Sequence, residues 1–166
     1  MSKKTLFIGG IKSGKSLNAQ EYILKNYDTK PIYLATTEFI DEGMKLRIDE
    51  HKKNRSDSFV TLEEPLKIHN IINSTDKPIL VECISMWINN MLYHEFSFDE
   101  MVEELNSIMM LDKNIVFVLN DVGSGVIPDN SLARKFVDIS GKVSQLLASQ
   151  CDEVYHTIAG ISTRIK

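Results

Sequence analysis

The strongest constraint on this chain is a glycine-rich segment at residues 9–16, which reads Gly-Gly-Ile-Lys-Ser-Gly-Lys-Ser. The apolar run Thr5–Ile8 precedes it, and apolar residues at helical spacing follow it. The fixed positions of the pattern G-x-x-x-x-G-K-[ST] fall on Gly9, Gly14, Lys15 and Ser16. A strand, a glycine loop and a helix in this order predict a phosphate-binding loop at the start of an α/β sheet.

The chemistry of such a loop assigns a role to each residue type. Backbone N–H groups close around phosphate oxygens, and the helix that follows presents its positive end to them. We expect Lys15 to reach the β- and γ-phosphates and the Ser16 hydroxyl to bind Mg²⁺. The alternative is a glycine turn that binds nothing. The predicted nucleotide contacts of the loop are Gly9, Gly10, Ile11, Lys12, Ser13, Gly14, Lys15 and Ser16.

Composition narrows the class of protein. A chain of 166 residues predicts one domain over 1–166, with 43% hydrophobic residues to form its core. The net charge of −4 argues against nucleic acid as the main partner. No apolar run approaches the ~20 residues needed to span a bilayer. The first strand begins too early to leave room for a signal peptide, and Cys83 and Cys151 are widely spaced, so we expect a cytoplasmic protein with reduced thiols.

Five short apolar runs predict the strands of the sheet. Most are continuous rather than alternating, as in strands buried on both faces of a parallel sheet. Helical patterns lie between several of them, and Asn130 is a plausible N-cap for a long one. The predicted fold is α/β, a doubly wound, mostly parallel sheet of the P-loop NTPase type with helices on both faces. Ser56–Ser58 and His94–Asp99 are interpreted as surface loops. The runs are Thr5–Ile8, Pro31–Ala35, Pro78–Val81, Asn114–Leu119 and Glu153–Ile158.

An acidic residue ends the third apolar run. Glu82 follows Ile79–Val81, where P-loop enzymes place a second group for Mg²⁺. The predicted metal ligands are therefore Ser16 and Glu82. The alternative is a solvated carboxylate at a strand end.

One histidine stands between two arginines. Arg47, His51 and Arg55 would share one face of a helix, since they are spaced four residues apart. Neighbouring cations disfavour the imidazolium, so a neutral His51 could attack phosphorus. From spacing alone, an exposed polar helix face is the better interpretation.

A longer loop follows the fourth run. Residues 120–130 hold two glycines and a proline, and they precede the long helix. Their place at the carboxyl edge of the sheet favours a substrate surface, and the alternative is a simple turn.

Several segments together resemble one family, the bifunctional adenosylcobinamide kinase / adenosylcobinamide-phosphate guanylyltransferases of cobalamin biosynthesis. The glycine loop is similar to the family's GGxRSGKS, and residues 47–52 resemble its R-I-x-x-H-[RK] motif. Residues 61–63 resemble T-x-E, and residues 82–85 resemble [DE]-C-[LIV]-[TS]. Residues 123–141 are close to a long G-x-G-[IV]-[VI]-P…A-R-x-[FY]-x-D-x-x-G pattern. The resemblance runs nearly from end to end.

The resemblance implies two reactions. In one, a nucleoside triphosphate phosphorylates adenosylcobinamide. In the other, His51 becomes guanylylated by GTP and passes GMP to adenosylcobinamide phosphate, which gives adenosylcobinamide-GDP. Lys15 and His51 would be catalytic, and GTP, ATP and Mg²⁺ would be the cofactors. A homotrimer is also implied. Further nucleotide-site residues implied by the family motifs are Thr36, Thr37, Glu38, Lys52, Lys53, Asn54, Arg55, Glu63 and Glu82.

The sequence departs from the family pattern at four positions. Lys12 replaces an arginine, Ser56 a proline, Val137 an arginine and Ser144 an asparagine. None of them is a predicted nucleophile or metal ligand. Two other hypotheses remain at this stage: a P-loop kinase of a small molecule without guanylyl transfer, and a nucleotide-dependent interaction module.

Overall fold

The computed structural model describes residues 1–38 and 41–166. It leaves undescribed the side chains of Met44, Arg47, Ile48, His51, Lys52, Asn54, Arg55 and Ser56. Seven strands are present in the described ranges: β1 (Lys4–Gly9), β2 (Ile32–Ala35), β3 (Val60–Glu63), β4 (Ile79–Glu82), β5 (Ile115–Asn120), β6 (Glu153–Ile158) and β7 (Ile161–Arg164).

These strands form one sheet in the order β3-β2-β4-β5-β1-β6-β7. All neighbours pair in parallel except β6 and β7, which form an antiparallel hairpin. The five predicted strands are confirmed to within one or two residues at their ends. The two strands that were not predicted, β3 and β7, are the edges of the sheet. Each is largely exposed and lacks the continuous apolar run of a central strand.

Six α-helices connect the strands in the described residues: α1 (Lys15–Asn26), α2 (Glu42–Arg55), α3 (Ile68–Asn73), α4 (Ile84–Tyr93), α5 (Phe98–Met109) and α6 (Ser131–Gln150). Asn130 caps α6, as predicted, because its side chain accepts from the backbone N–H groups of Leu132 and Ala133. The interpretation of His94–Asp99 as a loop is wrong at its end. Ser97 and Glu100 form a reciprocal capping box that starts α5 at Phe98. Ser56–Ser58 is a turn of 3₁₀ helix.

The two faces of the sheet carry different cores. Alternate strand residues such as Leu34 and Phe117 join the inner faces of α3, α4, α5 and α6 in a large cluster around the fully buried Trp87. The opposite face packs on Ala19 and Ile23 of α1 in a smaller, aromatic cluster. Helices therefore cover both faces, and the predicted fold class is confirmed. No helix in residues 1–38 and 41–166 is both long and apolar enough to cross a membrane.

Candidate nucleotide site

The glycine loop joins β1 to α1 through a left-handed residue. Gly14 has a φ of 92° directly before the first helical residue, a conformation that glycine adopts without steric cost. Its neighbour Lys15 is only 4% exposed, and its ammonium donates to the Gly10 carbonyl at 3.1 Å. The lysine therefore lies folded back over the loop, where its charge adds to the positive end of α1.

The start of the loop is closely packed. A Cβ at Gly9 would lie 2.4 Å from the carbonyl oxygen of Thr157 and 2.7 Å from Ser13 Oγ. A side chain there would displace the Thr157 backbone, so only glycine fits at this position. Ser13 itself is buried under the loop, and its N–H donates to the Gly10 carbonyl. Ile11 and Lys12, at the tip, are exposed.

The two predicted metal ligands lie side by side. Ser16 Oγ donates to Glu82 Oε1 at 2.6 Å, from the first turn of α1 to the end of β4. A hydroxyl and a carboxylate are hard oxygen donors of the kind that Mg²⁺ prefers. The described residues contain no group of three or more His, Cys, Asp and Glu side chains able to hold a metal. A magnesium ion here would fit these two oxygens and would need phosphate or water oxygens to complete its shell.

Three strands end together beside this pair. Glu63 of β3, Ala35 of β2 and Glu82 of β4 are aligned in register at the carboxyl edge. Glu63 is exposed, and the chain continues from Ala35 through the fully buried Thr36 to the half-buried Thr37. Two of the predicted nucleotide-site residues, Glu63 and Glu82, thus flank β2 at this edge, and Thr36 is buried beneath it.

Neutral hydrogen bonds hold this edge in place. Thr36 Oγ1 donates to the Cys83 carbonyl at 2.7 Å and accepts from the Cys83 N–H at 3.1 Å. The side-chain amide of Asn90, fully buried in α4, donates to the carbonyls of Thr36 at 2.6 Å and Pro65 at 3.0 Å. Sequence analysis missed Asn90. A polar residue on the apolar face of α4, between Ile88 and Met91, was the available signal.

A second missed residue is His94. Its Nε2 lies 2.9 and 3.0 Å from the two carboxylate oxygens of Glu38, at the C-terminus of α4. The contact joins residues 56 positions apart and fixes the predicted nucleotide-site residue Glu38 against α4. Nothing in the spacing of the sequence indicates this pair.

The loop at residues 120–130 begins beside the glycine loop, since the Asp121 N–H donates to the Gly9 carbonyl at 2.8 Å. The Asp121 carboxylate accepts from the Gly123 N–H and from Ser124 Oγ. At the other end, Arg134 donates to the carbonyls of Pro128 and Asp129. These bonds fix both ends of a loop whose tip, Val126 and Ile127, is 93% and 80% exposed.

Helix α2 approaches the tip of the glycine loop. Lys12 Nζ lies 4.0 Å from Glu50 Oε2, and both side chains are well exposed. The helical part of the prediction for residues 47–55 is confirmed by α2. The side chains of His51, Lys52, Asn54 and Arg55 lie outside the described part of the structure, and Lys53 is exposed.

Cys83 lies under the edge as a free thiol, and Cys151 is a second buried free thiol at the end of α6. Burial, together with the nearby Glu82 carboxylate, raises the pKa of Cys83 to about 11. Burial raises the pKa of Cys151 to about 12. Both are inert core thiols near neutral pH.

The parallel sheet, the glycine loop capped by Lys15 and the Ser16–Glu82 pair define a P-loop nucleotide-binding protein. Solved structures with this architecture agree. A type III secretion system ATPase matches with a TM-score of 0.53 and 11% identity, over 97% of this chain and 56% of its own. The P4 protein of bacteriophage phi6, in complex with ADP, matches with a TM-score of 0.52 and 13% identity, over 98% of this chain and 54% of its own.

The sequence specifies the family. The chain belongs to the CobU family, described as cobinamide kinase / cobinamide phosphate guanyltransferase, which matches residues 5–165. It is 33% identical to the bifunctional adenosylcobalamin biosynthesis protein CobU of Salmonella typhimurium, over 97% of this chain and 98% of that protein. It is 32% identical to CobP of Pseudomonas aeruginosa, over 98% and 97%. The predicted resemblance and enzyme class are confirmed, and a kinase without guanylyl transfer is not favoured.

Proposed function

We propose that this chain catalyses both reactions of its family at the carboxyl edge of the sheet. It would phosphorylate adenosylcobinamide and then transfer GMP from GTP to adenosylcobinamide phosphate. The observation that carries the proposal is the Ser16–Glu82 contact directly after Lys15 in the glycine loop. The tip of this loop meets the helix that contains His51 through Lys12 and Glu50. A nucleotide-dependent interaction module could use the same loop, and the family match favours the enzyme over it.

In the kinase step, a γ-phosphoryl group passes to the hydroxyl of the aminopropanol arm. Lys15 would exchange its bond to the Gly10 carbonyl for a phosphate oxygen and stabilise charge there. Ser16 and Glu82 would hold Mg²⁺, which supplies charge neutralisation on the phosphates when bound. Most of the rate enhancement would come from positioning and electrostatics, because phosphoryl transfer asks little covalent chemistry of the protein.

In the guanylyl step, a ring nitrogen of His51 attacks the α-phosphorus of GTP. A P–N bond forms while the bond from the α-phosphorus to the oxygen that bridges to the β-phosphate breaks. Pyrophosphate leaves with that oxygen. A phosphate oxygen of adenosylcobinamide phosphate then attacks the same phosphorus, the P–N bond breaks and the neutral imidazole is restored. The remaining nucleotide contacts would come from Thr37, Glu38, Glu63 and residues 52–55, while the fully buried Thr36 holds the edge beneath them.

The corrinoid would lie over the loop at residues 120–130. Its ring is too large for a phosphate loop, so it must rest on surface beside that loop. Val126 and Ile127 are exposed apolar side chains on a loop fixed by Asp121 and Arg134. Such fixed apolar groups give contact area at little entropic cost when a flat apolar ligand binds.

Three further parts of the proposal come from the resemblance. The enzyme would use ATP or GTP with Mg²⁺ for the kinase step, function as a homotrimer and reside in the cytoplasm. A neighbouring subunit could then complete part of the corrinoid surface.

The test is intact mass spectrometry after incubation with GTP and Mg²⁺, followed by peptide mapping. We expect an adduct with the mass of one GMP on the peptide that contains His51, and no adduct on His51→Ala. His69→Ala, in α3, is the matched control and should be modified like the wild type. Equal modification of His51→Ala would contradict the assigned nucleophile. Absence of any adduct, with GTP still bound, would contradict the guanylyl step.

A further inference from the structure

The hairpin formed by β6 and β7 touches the glycine loop at two places and the first turn of α1 at a third, although 142 residues separate Asn18 from Gly160. The turn of the hairpin is left-handed at both central residues, with a φ of 51° at Ala159 and 82° at Gly160. Two such residues make the tight turn that suits the twist of an antiparallel pair. No part of the nucleotide chemistry above uses this hairpin.

The first contact is at the end of the loop. The Gly160 N–H donates to the Ser13 carbonyl at 2.7 Å, and a Cβ at Gly14 would lie 2.9 Å from Gly160 Cα. In a trans peptide the carbonyl and the following N–H point in opposite directions. Because the Ser13 carbonyl faces the hairpin, the Gly14 N–H faces away from it, as a phosphate donor of such a loop must.

The second contact comes from the first turn of α1. Asn18 Nδ2 donates to the Gly160 carbonyl at 3.0 Å and to Ser162 Oγ at 2.7 Å. The third contact is at the start of the loop, where the Thr157 carbonyl occupies the space beside Gly9. Thr157 and Ser162 are themselves joined by a 2.7 Å hydrogen bond across the hairpin.

We propose that the β6–β7 hairpin, acting through Gly160 and Asn18, is a positioning element that fixes the glycine loop in its nucleotide-binding shape before the nucleotide arrives. Neither residue touches substrate in this proposal. A loop without this support would be ordered only on binding, and that entropic cost would weaken affinity. The proposal rests on the proposed function, because it assumes that the loop binds a nucleotide.

The test compares variants of Gly160 that differ in how well they tolerate a positive φ. A Cβ at this position meets nothing within 4 Å, so the strain expected at the first side-chain atom is conformational rather than steric. Asparagine adopts left-handed conformations far more readily than a β-branched residue. We expect Gly160→Val to raise the Kd for ATP and GTP by about tenfold or more and Gly160→Asn by about twofold.

Asn18→Ala removes the second contact without changing the turn. We expect its nucleotide Kd to rise about fivefold, the effect of losing two neutral hydrogen bonds that orient the loop. At saturating nucleotide, kcat should stay within about twofold of the wild type, since bound phosphates restore the loop. A purely structural role would not separate KM from kcat in this way.

The matched control is Thr163→Gly, in the exposed edge strand of the same hairpin. It should lower Tm and leave Kd unchanged. Calorimetric titration with ATP and GTP, and thermal melting without nucleotide, provide both readouts. If Gly160→Val does not fold, Asn18→Ala decides. Wild-type affinity in Asn18→Ala and in a folded Gly160→Val, or weakening equal to that of Thr163→Gly, would overturn the positioning role alone. A wild-type protein that binds neither nucleotide would overturn the proposed function as well.

Discussion

The two ends of the central strands are held in different ways. At the amino end, the Glu153 carboxylate accepts from Lys3 at 3.0 Å and from Tyr22 at 2.6 Å, and it pairs with Arg164 at 3.0 Å. At the carboxyl end, neutral bonds from Asn90 and the Thr36 hydroxyl to backbone carbonyls hold the buried part of the edge, and the His94–Glu38 contact lies nearer its surface.

This difference indicates that the amino end contributes mainly to the stability of the fold and the carboxyl end mainly to chemistry. At the amino end, the half-exposed cations Lys3 and Arg164 compensate the nearly buried Glu153 carboxylate, so that end serves the fold. At the carboxyl end, the buried bonds from Asn90 and Thr36 are neutral, and Lys15 and Glu82 lie at the proposed nucleotide site. We therefore expect substitutions at the two ends to affect different measurements.

The largest expected effect is at the carboxyl end. Lys15→Ala should lower kcat/KM of the kinase reaction by about 10³-fold, because a positioned cation on the phosphates is lost. Its Tm should change little. Steady-state kinetics and thermal melting check both parts. Lys25→Ala, in the last turn of the same helix, is the control and should retain full activity. A large loss of Tm in Lys15→Ala would contradict the expectation that the carboxyl end contributes to chemistry rather than to stability.

The next effect is at the amino end. Glu153→Gln should lower the free energy of unfolding by about 2 kcal/mol, because two cations and a phenol lose a nearly buried carboxylate. Urea denaturation measures this change. Nucleotide Kd should match the wild type at 25 °C or below. A variant that unfolds normally but binds nucleotide poorly would show that the two ends are coupled.

A smaller effect is the pH dependence of the same carboxylate. Burial acts to raise the pKa of Glu153, but hydrogen bonds from Tyr22 and Lys3 and the attraction of Lys3 and Arg164 outweigh it, so the pKa lies below its ordinary value of 4.5. Its contribution is present above pH 4.5 and is lost as pH falls through the folded-state pKa. The difference in unfolding free energy between wild type and Glu153→Gln should therefore shrink below pH 4.5. A constant difference down to pH 3 would contradict this.

The smallest expected effect is on the reactivity of the two thiols, one near each end of the strands. Cys83 follows β4 at the carboxyl end, and Cys151 precedes β6 at the amino end. With pKa values raised to about 11 and about 12, both should react with iodoacetamide at pH 8 about 100-fold or more slowly than in urea. ATP with Mg²⁺ should slow Cys83 further and leave Cys151 unchanged. Equal protection of both would indicate global stabilisation instead.

The parts of the fold that have a signal within a short stretch of the sequence were predictable. Continuous apolar runs mark the five central strands, and Asn130 marks the start of α6. The edge strands β3 and β7 have no such signal because only part of each is buried. The start of α5 was readable from Ser97 and Glu100, and the loop interpretation overlooked it.

The same contrast holds in the candidate site, where only residues with a local sequence signal were predictable. The pattern at residues 9–16 and the acid that ends β4 could be found because the chemistry dictates their local spacing. Asn90, His94 and Gly160 could not be assigned in the same way, because their partners lie 54, 56 and 147 residues away and only folding brings them together. The role of His51 stays a prediction, since its side chain lies outside the described residues.

The contact between Gly160 and Ser13 also has a consequence for synthesis of the chain. The ribosome makes the glycine loop before the hairpin, because Thr157, Gly160 and Ser162 follow it by nearly 150 residues. Strand β1 is likewise enclosed only after its neighbours β5 and β6 have been synthesised. A growing chain would therefore hold a glycine loop without the support of the hairpin. On the proposed positioning role, its affinity for nucleotide would rise once the β6–β7 hairpin has been made.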